Sequence, residues 1–148
     1  MTRGRFAAAS AVAVVAIPAL ALAEQLPPHS SYYDQHANQT KPVNDVSLLV
    51  YRKQGKADVY VYNYCLGSQS GEGGQKYPNT AGARGVKVHK GKIAFDGKAT
   101  IYMPNGQKHV AMKFKAKVER KKATGTAKFP GTSCGTVAFK AKLVSRTK

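Results

Sequence analysis

The sequence predicts an all-β domain behind an N-terminal export signal, built as an antiparallel sandwich or barrel of about eight short strands. Three observations predict it. Apolar and polar residues alternate from Val46 to the C-terminus, Gly-containing turn signals punctuate that alternation, and no helical periodicity occurs beyond the first 23 residues. Hairpin spacing of this kind builds antiparallel sheets, and the pattern alone leaves sandwich and barrel open.

The segment Met1-Thr-Arg-Gly-Arg5 carries two positive charges, an apolar stretch runs from Phe6 to Leu22, and Ala21-Leu22-Ala23 has the small-x-small form that a signal peptidase accepts. Those are the three parts of a secretory signal, so residues 1–23 are expected to be cleaved and the protein to be secreted. A retained anchor needs roughly 20 apolar residues; this stretch is shorter, Ala-rich and interrupted by Ser10 and Pro18. The cleavage point has no Cys for lipid attachment.

Residues 24–44 hold Pro27-Pro28, Pro42 and a polar run, read as a flexible arm that carries the sequon Asn38-Gln39-Thr40. Residues 45–148 read as one β-domain. Its strands are expected at Val46–Tyr51, Ala57–Cys65, Gly85–His89, Lys92–Asp96, Lys98–Met103, His109–Glu119, Ala123–Phe129 and Thr136–Val144. Leu66 to Gly82, rich in Gly, Ser and Gln, reads as a long loop. Lys90-Gly91 and Pro104-Asn105-Gly106-Gln107 are the sharpest turn signals, because Gly and Asn tolerate the positive φ of tight hairpins.

The cysteines, Cys65 and Cys134, allow a single pairing, and an oxidising compartment favours it. A bridge closing so long a loop contributes about 4 kcal/mol by chain entropy. Two buried free thiols are the alternative; zinc is disfavoured, since two lone cysteines make half a site.

The last 65 residues bear a resemblance. Val86-Lys-Val-His-Lys-Gly-Lys-Ile-Ala-Phe95, Phe114-Lys-Ala-Lys-Val-Glu-Arg-Lys-Lys-Ala-Thr-Gly-Thr-Ala127 and Cys134-Gly-Thr-Val-Ala-Phe-Lys-Ala-Lys142 are similar to the hairpins and C-terminal motif of small secreted β-domains common in actinobacterial genomes. The resemblance implies a β-fold and export, and carries no activity with it.

Charge is the most unusual property. The formal net charge is +17 over 148 residues. From Glu24 to Ala83 five bases balance five acids, whereas from Arg84 onward 17 bases face only Asp96 and Glu119. The alternation puts Lys113, Lys115 and Lys117 on one strand face, with Lys140 and Lys142 on a similar face of the last strand. Pairing of those strands would make a lysine lattice rimmed by Lys121, Lys122 and Lys128, the expected anion-binding residues. Such a surface attracts an anionic polymer or membrane surface through its long-range field and counterion release. Lysine is a point charge without the forked geometry of Arg, which disfavours sequence-specific nucleic-acid recognition. The competing reading is a structural or protein-interaction domain whose charge serves solubility, with residues 66–82 as contact element.

Tyr60, Tyr62 and Tyr64 share one face by alternation and are candidate aromatic contacts; tyrosine packing across the sheet is the plainer explanation. Catalytic constellations are weak. Gly67-Ser-Gln-Ser-Gly71 lacks the G-x-S-x-G spacing and a following helix. Asp58 and Asp96 fall at strand ends, where acids solvate or cap. His29, Asp34 and His36 sit in the proposed arm, where nothing would fix a metal geometry, and His89 and His109 stand apart. No enzyme activity, metal or cofactor is expected.

Overall fold

The computed structural model describes residues 26–35 and 45–148. The expected signal peptide and Asn38 lie outside those residues. The fold is a closed antiparallel barrel, which resolves the choice between sandwich and barrel. Its strands are β1 (Ser30–Asp34), β2 (Asp45–Tyr51), β3 (Lys56–Ser70), β4 (Lys76–His89), β5 (Lys92–Met103), β6 (Gly106–Val118), β7 (Lys122–Lys128) and β8 (Val137–Arg146). Each strand pairs with its neighbour in sequence, and β1 pairs with β8 to close the ring. Closure leaves no strand of the ring without a neighbour on both sides, although no rung joins residues 106–112 of β6 to β7 or residues 83–87 of β4 to β5.

Alternation sends the apolar residues inward. Val46, Leu48 and Val50 of β2 face Val61, Val59 and Ala57 of β3 across the register, and all are buried. Ile93, Met112, Phe114 and Phe139 fill the other half of the lumen, with Phe114 and Phe139 stacked at 5.3 Å between ring centroids. The interior is therefore a packed core, as side chains can fill a barrel of this strand number. Its polarity, apolar within and lysine-rich without, is the reverse of a transmembrane barrel.

Three expectations change. Residues 30–34, read as part of a flexible arm, form β1. Tyr33 points into the core at 2% exposure, and its hydroxyl donates to the Glu119 carbonyl at 2.7 Å. Pairing on both flanks compensates for the scarcity of apolar residues in Ser30-Ser-Tyr-Tyr-Asp34. Residues 66–82, read as a loop, are mostly strand: β3 and β4 continue past the ring as a two-stranded overhang, turning at Glu72–Gly74. Finally, the two strands expected at 92–96 and 98–103 are one, β5, running straight through Gly97. Glycine suits that point because a Cβ there would lie 3.0 Å from the Phe95 ring.

The turns at Lys90-Gly91 and around Asn105-Gly106 form as expected. Lys90 and Gly91 take φ of 49° and 73°, and Gly106 takes 142°. A bulge between Ala57 and Val59 sets Arg84 and Gly85 of β4 against Asp58 of β3, with Gly85 at φ 65°. The Gly85 amide donates to Asp58 Oδ1 at 2.9 Å, tying down the bulge.

Candidate functional site

The eight expected anion-binding lysines are all exposed. They face outward because a charge turned into this lumen would lose its hydration without a partner. Lys113, Lys115 and Lys117 form a row on β6, about 7 Å apart by strand rise. Lys128 of β7 stands opposite Lys113. Strands β6 and β8 do not pair, however: β7 lies between them. The lattice is therefore interrupted, with Thr126 beside Lys115 and Thr124 separating Lys117 from Lys140. Lys122 at the start of β7 pairs in register with Lys142 of β8. Lys121 precedes β7, and its carbonyl accepts the Leu143 amide at 2.9 Å. Across two strand spacings the lysine face is about 10 Å wide.

Three surface ion pairs thin this field: Lys113 with Asp96 at 3.9 Å, Lys117 with Glu119 at 3.4 Å and Lys122 with Glu119 at 3.5 Å. Lys117 and then Lys122 hold the Glu119 carboxyl below its usual value. Among the described residues, Lys115, Lys128, Lys140 and Lys142 are in no ion pair.

The opposite wall, β1 to β5, carries tyrosines and aspartates. Tyr60 and Tyr62 point outward from β3 and are half-buried, whereas Tyr64 lies on the overhang, exposed, its hydroxyl donating to the Lys76 carbonyl at 3.2 Å. The three therefore do not make one exposed stripe. Tyr62 faces Asp45 in register, and Tyr60 faces Ser47 on one side and Gly82 on the other. Beyond Gly82 and its neighbour Thr80 come Thr100 and Tyr102 of β5. Tyr51 donates to Asp58 Oδ2 at 2.8 Å. Burial and then the Asp58 contact push the Tyr51 hydroxyl up to about 12.

Asp34 and Asp45 sit on adjoining strands. The Val46 amide donates to Asp45 Oδ1 at 2.6 Å, and the Tyr32 hydroxyl to Asp34 Oδ2 at 3.0 Å. Burial first, then the hydrogen bond and charge of Asp34, push the Asp45 carboxyl up to about 8. Sequence reading missed this pair, because Asp34 was assigned to an arm rather than a strand beside β2.

Cys65 and Cys134 form a disulfide, with Cα atoms 5.5 Å apart. It fastens the base of the overhang to the segment before β8. Asn63 and Asn79 support the same point from within: Asn63 Oδ1 accepts the Cys65 amide at 2.9 Å, and Asn79 Nδ2 donates to the Leu66 carbonyl at 3.0 Å. Among the described residues, no group of three or more His, Cys, Asp or Glu could hold a metal.

The chain matches no family model, no curated protein and no solved structure.

Proposed function

We propose that this protein is a secreted, non-catalytic module that holds to anionic polymers or surfaces through the outer face of β6 to β8. The observation that carries this reading is the exposed row Lys113, Lys115 and Lys117, flanked by Lys128 and, beyond the threonines of β7, by Lys140 and Lys142. A row of exposed cations on a rigid sheet, only partly offset by Asp96 and Glu119, binds a polyanion by releasing its counterions, without base or sugar readout. The N-terminal signal and the disulfide support an extracytoplasmic location, where thiols oxidise and persist as bridges.

The test is retention of the mature protein on heparin and on anionic vesicles across a salt gradient, against a charge-matched control protein. Stronger retention than the control, lost in a Lys113, Lys115, Lys117→Gln variant, is expected. Retention equal to the control, or unchanged in the variant, would favour the second reading, an interaction domain. The observation behind that reading is the β3–β4 overhang, projecting past the ring and fastened by the disulfide.

A further inference from the structure

We propose that the anionic partner is an acidic polysaccharide, gripped at a second place on the barrel: Tyr60 and Tyr102 stack a sugar ring while Arg84 pairs with its carboxylate. This rests on the polyanion reading above and names its ligand class.

Tyr60 of β3 and Tyr102 of β5 converge over Gly82 of β4. A Cβ at Gly82 would lie 2.9 Å from Tyr102 Cε2 and 3.1 Å from Tyr60 Cδ1 and Cε1. The missing side chain lets two rings from strands that are not neighbours tile a single platform. Arg84, two residues on, is exposed on the same wall and interacts with Tyr60 first, then with Tyr102 and Asp58. Asp58 is itself engaged by the Tyr51 hydroxyl and the Gly85 amide. On the other side of Gly82, Thr80 is 5% exposed, and its hydroxyl has no hydrogen-bond partner among the described residues.

Aromatic faces flanked by hydroxyls and one guanidinium suit a ring with an apolar face, polar edges and an acidic group. Polyphosphate and phospholipid head groups without inositol supply the charge but no ring face to stack. The platform and the lysine row also share a surface. Thr100 pairs with His109, Lys98 with Ala111 and Asp96 with Lys113, so the outer face of β5 and β6 leads from one to the other. The step from His109 to Lys113 is about 14 Å by strand rise, a length that a few linked sugars span. Asp96 lies on this path, paired with Lys113.

The experiment titrates the disulfide-bonded domain with oligogalacturonate, with polyphosphate of matched charge and with anionic phospholipid vesicles. Tyr60→Leu and Tyr102→Leu are each expected to lower the preference for oligogalacturonate over polyphosphate about tenfold, the scale of one lost stacking contact. Tyr60→Phe keeps the ring and should keep the preference. Arg84→Gln should lower it severalfold, and decides the matter if the leucine variants unfold. Tighter binding to vesicles than to oligogalacturonate, or an unchanged preference in all three loss variants, overturns the platform. The polyanion reading stands in that case if Lys113, Lys115, Lys117→Gln still abolishes polyphosphate binding. No lysine effect on any probe overturns both.

Discussion

Arg52 and Thr147 lie 95 residues apart in the chain, and the Arg52 guanidinium donates through Nη2 to the Thr147 carbonyl. Its Nη1 donates to the Ser30 carbonyl at 2.5 Å and to the Ser31 hydroxyl at 2.7 Å. One side chain thus joins the β2–β3 turn to β1 and to the end of β8, across the seam that closes the barrel. Charge-assisted bonds are the stronger kind, and removing the donor strands partly buried acceptors. Arg52→Met is expected to cost about 3 kcal/mol in urea unfolding. Arg52→Lys should restore only part, since an ammonium cannot fork across both strands.

The disulfide makes a separate prediction. The bridge spans 69 residues of sequence, and its loss in Cys65→Ser, Cys134→Ser should cost about 4 kcal/mol on the chain-entropy account. Equilibrium unfolding of the double variant, compared with the parent, measures it. Equal stability would mean that the unfolded chain gains nothing from release of the loop.

Gly125 predicts the tightest steric limit in the barrel. A Cβ there would sit 1.9 Å from the Lys115 carbonyl oxygen and 2.8 Å from Ala116 Cα. Both are backbone atoms, so β6 and β7 must separate to accept it. Gly125→Ala should cost about 3 kcal/mol or prevent folding. Gly135→Ala, where a Cβ meets nothing within 4 Å, is the near-neutral comparison.

Glu119 predicts a gain. Its carboxylate holds both Lys117 and Lys122 by surface ion pairs, which contribute little to stability. Glu119→Gln frees both ammonium groups and removes an opposing charge. Elution from heparin should shift to higher salt, with thermal stability nearly unchanged. Elution at lower salt would contradict a role for that end of the lysine face.

Asp45 predicts the pH dependence. Its carboxyl titrates near 8 in the folded protein against an ordinary value of 3.8. Between those values the folded state keeps a proton that the unfolded state has released, so this group's contribution to stability falls as pH rises through the window. Asp45→Asn should flatten that slope and raise the melting temperature above pH 8. A parent whose stability stays level from about pH 5 to 9 would contradict it.

Much of the barrel was legible in alternation, because a lumen lined by Val, Ile and Phe admits no lysine. The row Lys113, Lys115 and Lys117 follows from that rule alone. Strand β1 was not legible: only Ser31 and Tyr33 turn inward, and its order comes from β2, β8 and the Glu119 carbonyl. The overhang was hidden for a similar reason. Its residues are polar on both faces, and each strand is specified by the other and by the disulfide. The lattice was half legible, since composition does not reveal that β7 places Thr124 and Thr126 between its rows. The convergence of Tyr60 and Tyr102 over Gly82 depends on the register of three strands, which no local pattern encodes.

Closure of the ring by β1 and β8 also decides how the domain bears mechanical load. The His29 amide donates to the Lys148 carbonyl at 2.9 Å, so the strands that close the barrel begin and end side by side. Tension between a tether upstream of His29 and a grip at Lys148 would pull that seam apart like a zipper, one rung after another, rather than shearing all its bonds at once. Tension between Lys148 and a partner bound to the outer face of β6, as proposed, would follow a different line, drawn along β8 and across β7. The seam of β1 and β8 would then carry the first load and be bypassed by the second.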